Sequence, residues 1–353
     1  MCKENVKNKQ LIHKKRGNVI MMTKKELIQA VLKGEKTDHI PYSMWSHVPG
    51  VDRNPEAIAE ETYRFYKEYD VDIIKTMNNG MYSIEDYGCE IDYSDVLTGG
   101  VAKIVSTPVH CGEDWLKIQE ISIEEGALKR EQTYLALLLE KLKGEEVPVV
   151  FTAFSPITTA NKLCGNKVQE YVKNGYGKEV HQALKAITAT TRKLVQRVIE
   201  MGADGIFFAT QLSSYAKSDE KFYEEYGAPY DKAVLEASKG WCNVLHAHGD
   251  EIMFDLLKDY PVQIFNYHAW QSLPSMGEAQ VCTGKTLMCG IERMDITNHK
   301  KNEIRNEIYE SIKQTGGRHL ILAPGCVIRY PLDKEMLAYV KKVKVEIETA
   351  LQV

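Results

Sequence analysis

The sequence contains no run of about 18 apolar residues, which argues against a membrane-spanning helix. It has no Cys-x-x-Cys pair. Its eight cysteines, Cys2, Cys89, Cys111, Cys164, Cys242, Cys282, Cys289 and Cys326, stand singly, and their spacing does not suggest a disulfide framework. A chain of 353 residues can bury a core without such bridges, so reduced thiols in a cytoplasm are expected. Neither sign of charge dominates. Lys and Arg number 45, Asp and Glu 49, and the net charge of −4 gives no electrostatic footprint for nucleic acid. The basic N-terminus, with Lys3, Lys7, Lys9, Lys14, Lys15 and Arg16, lacks the apolar stretch of a secretory signal. Residues 1–21 are therefore expected to form a loose basic head, and Met21 or Met22 could serve as an alternative start. No internal repeat or low-complexity tract occurs. Hydrophobic residues at 44% and charged residues at 27% match an ordinary soluble globular protein and exclude extensive disorder.

The ordered part is expected to begin at residue 22. Thr23 and Glu26 form a capping box for a helix over Lys24–Leu32, which Gly34 ends. Short apolar runs then alternate with amphipathic segments. The runs are Ile40–Trp45, Val71–Met77, Val147–Phe154, Gly205–Ala209, Asn243–Leu245, Val262–Asn266, Thr286–Gly290 and His319–Leu322. Helical patterns lie at about Glu56–Tyr69, Ile123–Lys143, Gly177–Met201, Asp219–Lys239, Glu251–Asp259, Asn298–Thr315 and Leu332–Leu351. Strands alternating with helices imply a parallel sheet, since parallel neighbours need crossover connections. Eight such units fit one α/β domain, a (β/α)8 TIM barrel over residues 22–353. An open doubly wound sheet is the rival, weakened by the absence of Gly-x-Gly-x-x-Gly after the first strand. The weakly periodic stretch Asn78–Asp114 reads as an insertion after the second strand, a loop or small hairpin over the barrel mouth.

In a barrel, chemistry gathers at the carboxyl ends of the strands. Those ends carry Trp45 and His47; Asn78 and Asn79; Ser155 and Asn161; Gln211, Ser213 and Ser214; His246, His248 and Asp250; Asn266, Tyr267 and His268; Glu292, Arg293 and Asp295; and Cys326. The sharpest pattern is Leu245-His246-Ala247-His248-Gly249-Asp250. Residues two apart on a strand share a face, so both imidazoles could aim at one point, and Cys326 could add a thiolate. Two imidazoles and a thiolate make a three-ligand zinc site with an open position. The bland alternatives are histidines that hydrogen-bond to neighbouring strands and a cysteine that acts as a small buried hydrophobe. Asp250 reads more readily as a helix cap than as the orienting partner of a ligand histidine. Glu292 is a candidate fourth ligand or general acid, or else a salt-bridge partner. Tyr215, Tyr267 and His268 are candidate cofactor-lining residues, with a structural role for His268 as the alternative.

The phrases Leu245–Asp250, Met201-Gly202-Ala203-Asp204-Gly205 and Ile321-Leu322-Ala323-Pro324-Gly325-Cys326 resemble the uroporphyrinogen decarboxylase superfamily, with the resemblance running from about Thr23 to Leu351. It implies a (β/α)8 barrel. The superfamily contains a haem-pathway decarboxylase and cobalamin-dependent methyltransferases that hold zinc through a His-x-Cys pair and a later Gly-Cys. The decarboxylase's arginine-rich segment after the first strand is replaced here by Trp45-Ser46-His47-Val48-Pro49-Gly50, with no arginine until Arg53. Its aspartate after the second strand is absent from Thr76-Met77-Asn78-Asn79-Gly80, and its Gly-His-Gly is replaced by Pro324-Gly325-Cys326. Without those groups a polycarboxylate would leave charges unpaired.

The methyltransferase pattern fits better. His246 and Cys326 match family ligands, and His248 replaces the first cysteine. The loss of one thiolate leaves a stronger Lewis acid, which argues against a thiol substrate and could instead coordinate an ether or phenolic oxygen. The resemblance thus implies a zinc-dependent methyltransferase moving a methyl group between a small molecule and a corrinoid. The corrinoid would arrive on a separate protein, since the chain lacks an Asp-x-His-x-x-Gly signature. A homodimer is compatible with the resemblance. The alternatives are a metal-free lyase acting on a tetrapyrrole or other carboxylated substrate, and a non-catalytic barrel that binds a corrinoid or tetrapyrrole.

Overall fold

The computed structural model describes residues 22–353, together with the backbone pairing of Lys15–Arg16 with Val19–Ile20. The rest of the expected basic head lies outside the described residues. Helix α1 (Lys24–Leu32) starts where its capping box dictates: the Thr23 hydroxyl accepts from Glu26 N, and the Glu26 carboxylate accepts from Thr23 N at 2.8 Å. It buries Leu27, Ile28, Ala30 and Val31. Gly34 then turns with φ +70°, and the His319 ring packs where a side chain at that position would lie.

Seven parallel strands form one sheet in sequential order: β1 (Ile74–Lys75), β2 (Val149–Phe154), β3 (Gly205–Thr210), β4 (Val244–Ala247), β5 (Ile264–Tyr267), β6 (Thr286–Ile291) and β7 (Leu320–Pro324). Every residue of these strands is buried, because a parallel sheet is covered on both faces; this is why they read as continuous apolar runs. The predicted first strand, Ile40–Trp45, appears as isolated parallel bridges, Tyr42 to Leu322 and Ser46 to Ile328. Regular pairing fails there because Pro41 has no N–H to give and the Tyr42 N–H is taken by the Asp72 carboxylate at 3.0 Å. The segment nevertheless touches both ends of the sheet order. Leu322 N donates to Pro41 O and Ser43 N to Leu322 O beside β7, while Asp72 N donates to Tyr42 O and Ser43 Oγ to Ile73 O beside β1.

The helices cover the outer face: α2 (Pro55–Tyr69), α3 (Gly126–Lys141), α4 (Pro156–Leu163), α5 (Gly177–Glu200), α6 (Glu220–Tyr226), α7 (Ala228–Ala237), α8 (Met276–Thr283), α9 (Lys301–Thr315) and α10 (Lys334–Leu351). The single helix expected over Asp219–Lys239 is two, α6 and α7. Gly227 leaves the helical path, and Pro229 at the start of α7 cannot continue the hydrogen-bond ladder. The segment expected as Glu251–Asp259 keeps one turn, Phe254–Leu257. Helices α4 and α8 were not anticipated, although Ser275 and Glu278 form a capping box at α8 that the sequence displays. Between β1 and β2 the chain makes an antiparallel hairpin, Glu90–Asp92 with Lys103–Ser106. Among the described residues no helix is long and apolar enough to cross a membrane.

Candidate metal centre

A cavity of about 990 Å³ opens at the carboxyl ends of the strands. Hairpin residues including Tyr93, Ile104 and Ser106 form part of its wall, as do His47, Asn78, Asn79, Gln211 and Arg293 from the predicted strand ends. His246, His248 and Cys326 line it together, and one ligand atom from each lies within 4.8 Å of the others. The local chain explains the convergence. His246 lies in β4, and His248 stands two residues on, held in ladder register by His248 N donating to Thr210 O at 3.0 Å. Cys326 follows β7 through Gly325, whose N–H donates to Ile291 O at 3.0 Å. A Cβ at Gly325 would lie 3.0 Å from the His268 Cα and the Tyr267 carbonyl oxygen, so glycine allows the turn to pack tightly against the end of β5.

The protonation pattern of this corner follows from its partners. The Asn266 amide nitrogen donates to Met288 O and, at 3.2 Å, to Pro324 O, which turns its oxygen towards His246 Nδ1 at 2.5 Å. His246 therefore carries its proton on Nδ1 and presents the Nε2 lone pair. The Phe207 ring stacks on His246 at 5.2 Å between centroids. Cys326 Sγ lies 3.4 Å from His248 Nδ1. Burial alone would raise the Cys326 thiol, but the contact with His248 and the closeness of the His246 and His268 imidazoles carry it well below the ordinary thiol range. Burial lowers His246, favouring a neutral imidazole. Two imidazoles and a thiol lowered in this way make a donor set that suits a zinc ion.

The other predicted site residues fall at varied distances from this corner. His268 is buried outside the cavity wall, with its ring centroid 5.4 Å from that of His248 and 6.3 Å from that of His246; its Nε2 has no hydrogen-bond partner among the described residues. Asp250 is largely exposed, with Oδ1 3.8 Å from His268 Nδ1. It is not the expected cap: Met253 occupies the N-cap position of the turn at Phe254–Leu257, which has no side-chain cap bond. Glu292 caps the short helix Arg293–Thr297 by accepting from Met294 N at 2.9 Å, and it is absent from the cavity wall. Tyr215 is 52% exposed and donates to Glu220, away from the cavity. Tyr267 is fully buried and donates to Pro274 O, so it serves the fold rather than the cavity.

Sequence reasoning passed over two lysines. Lys75 in β1 and Lys162 in α4 are both buried and both line the cavity. Lys75 interrupts the apolar run of β1, and a lone lysine there is the one available signal of function, since lysine is almost never fully buried unless paired; Lys162, in a helix with Thr158, Thr159 and Asn161, gives no such signal. Burial depresses Lys75 to about 7 and Lys162 to about 8. His47, at the same wall, is lowered to about 4 by burial and then by the charge of Lys75.

A profile of the family described as uroporphyrinogen decarboxylase (URO-D) matches residues 23–344. A protein of Methanosarcina mazei named methylcobamide:CoM methyltransferase MtbA is 28% identical over 170 residues, covering 47% of this chain and 48% of that one. Its namesake in Methanosarcina acetivorans is 27% identical over 157 residues, covering 44% of each. The matched segments thus span about half the length of these curated relatives. Among solved structures, a methyltransferase from Methanosarcina mazei superposes with a TM-score of 0.75 at 18% identity, covering 92% of this chain and 98% of that one. A B12-independent methionine synthase from a Shewanella species gives 0.61 at 13% identity, with 89% and 99% covered. These two show a shared fold. The profile match over most of the chain settles the family: this protein belongs to the uroporphyrinogen decarboxylase family.

Proposed function

We propose that this chain is a methyltransferase that moves a methyl group between a small-molecule substrate and a corrinoid carried by a partner protein, with zinc held by His246, His248 and Cys326. The observation that carries the reading is the meeting of two imidazoles and a lowered thiol at one point of the cavity wall. The relatives named as methyltransferases support it. When bound, zinc would supply Lewis acidity to the substrate's heteroatom. The chain's own residues do the rest. Asn266 fixes the His246 tautomer and ring orientation, as an outer partner of a ligand histidine must. Phe207 covers one face of that imidazole and excludes water. His268, outside the cavity wall, stands behind the donor group with Nε2 unpartnered among the described residues and Nδ1 towards Asp250, and would help hold the orientation of that group. Residues 22–353 form one unit in this reading, and Ile40–Ser46 acts as the eighth strand that closes the barrel between β7 and β1.

Metal analysis of the purified protein tests the proposal. The expected result is about one zinc per chain, lost in His246→Ala, with zinc-dependent demethylation of methylcobalamin when thiol and phenol acceptors are screened. Absence of zinc after anaerobic reconstitution would overturn it. Decarboxylation of a porphyrinogen by metal-free protein would establish the lyase instead.

A further inference from the structure

The two imidazoles of the metal corner are held differently. The His246 ring has Asn266 at its Nδ1 and Phe207 on its face. Among the described residues the His248 ring has no hydrogen-bond partner beyond Cys326 itself, so its aim depends on its backbone. That backbone lies one residue past β4 and is tied to the end of β3 by one ladder bond, from His248 N to Thr210 O at 3.0 Å. Thr210 is the last residue of β3. Phe207, Ala209 and Gln211 face the cavity, so the Thr210 side chain faces the helix layer behind the sheet. There its hydroxyl meets Tyr223 OH at 2.5 Å, and Tyr223 OH donates to Asp231 Oδ2 at 2.5 Å. Tyr223 has one proton to give, so Thr210 donates to Tyr223. Asp231 also accepts from Ser155 Oγ at 2.5 Å, just past the end of β2, and from Tyr260 OH at 3.1 Å.

Two features set this carboxyl group apart. It is fully buried, and among the described residues it forms no ion pair. Burial pushes it up to about 6, so at neutral pH it remains ionised, held by three hydroxyl donors. A buried charge is costly unless its hydrogen bonds are good. The second feature is the break between α6 and α7. Residues eight apart in one straight helix lie about 12 Å apart along its axis. The break at Gly227 instead brings the Tyr223 hydroxyl onto Asp231, and a Cβ at Gly227 would lie 2.8 Å from the Tyr223 ring. The lost helix continuity and the buried carboxylate converge on one contact. We propose that Asp231 is a positioning residue of the metal corner: through Tyr223 and Thr210 it fixes the rung that sets where the His248 imidazole stands. It touches neither metal nor substrate. Its effect rests on the reading of His248 as a zinc ligand.

Cobalt(II) in place of zinc reports the ligand arrangement through its visible bands. Wild type, Asp231→Asn, Tyr223→Phe, Thr210→Val, Thr210→Ser and His248→Ala are loaded with cobalt anaerobically. Affinity is read in competition with a chelator, beside melting curves. In Asp231→Asn, Tyr223→Phe and Thr210→Val it is expected to fall by about 5- to 10-fold, just below the effect of removing a direct partner of a ligand. Their bands shift as well, while Thr210→Ser, which keeps the hydroxyl, stays at wild-type affinity. Added to His248→Ala, Tyr223→Phe changes affinity by less than about twofold, because the route then ends before the metal. Tyr223→Phe and Thr210→Val each remove one hydroxyl and decide the matter should Asp231→Asn fail to fold. Wild-type affinity and bands in those two variants, whatever their melting points, would overturn the proposal and leave Asp231 to the fold alone. A loss in Tyr223→Phe that persists in full without His248 would overturn it too. If His248→Ala itself kept wild-type affinity and bands, the ligand assignment would fall and the route with it, so that variant tells the two failures apart.

Discussion

The two ends of the sheet use their polar residues in opposite ways. At the amino end, Asp204 precedes β3 and accepts from Val149 N at 2.9 Å, Lys25 Nζ at 2.8 Å and Trp241 Nε1 at 3.0 Å. Beside it, the Asn243 side chain accepts from Ile206 N and Ser238 Oγ and donates to Ser238 O and Gly240 O. Each polar side-chain atom of these two groups is bonded within the chain. At the carboxyl end, His47 Nδ1 and His268 Nε2 are buried without hydrogen-bond partners among the described residues, and among the same residues no carboxylate pairs with Lys75 or Lys162. Buried polar groups are normally satisfied, so those that are not need an external explanation. The amino end spends its polarity on stability; under the proposed function the carboxyl end holds its polarity for a ligand.

The sharpest way to break this comparison is at Cys326. Cys326→Ala is expected to reduce zinc from about one per chain to almost none and to abolish turnover, with the melting transition of the metal-free protein little changed. Retained zinc, read by mass spectrometry, would remove the metal corner from the argument. Asp204→Ala should do the reverse. It strands a lysine, an indole N–H and a backbone N–H, and should cost about 3 kcal/mol in denaturant unfolding while zinc per folded chain stays at wild-type level. If Asp204→Ala changed zinc affinity without changing stability, the division between the ends would fail. A subtler probe is Asn266→Leu, which frees the His246 tautomer; zinc affinity in competition with a chelator should fall by about 10–100-fold. At the smallest scale, Tyr215→Phe should leave zinc content, turnover and stability unchanged, to within about 0.5 kcal/mol, because its hydroxyl meets an exposed glutamate. A clear loss of turnover would restore Tyr215 to the cofactor surface.

Local chemistry explains which parts of this molecule were legible in the sequence. The helix at Lys24–Leu32 was read to the residue because its cap is a contact between Thr23 and Glu26, three positions apart. Strands β2 to β7 were visible as apolar runs, since each is buried on both faces. The first strand was readable as hydrophobicity but not as broken pairing, because the group that takes the Tyr42 N–H is Asp72, thirty residues on. The spacing of His246 and His248 announced a shared face. Tyr267 was misread for the same kind of reason that Tyr42 was: its hydroxyl partner, the Pro274 carbonyl, belongs to the loop after β5.

The sequence by itself determined the alternation of strand and helix, and hence a parallel sheet, because side-chain periodicity and caps act over a few residues. It also determined which residue types stand at the strand ends. Only the tertiary structure decided that Cys326 meets His248, seventy-eight residues away, and that Asn266 sets the proton of His246. It alone decided that Lys75 and Lys162 are buried with no carboxylate paired to them among the described residues. Charge, burial and pairing are properties of what surrounds a group, and in this fold those surroundings come from distant parts of the chain.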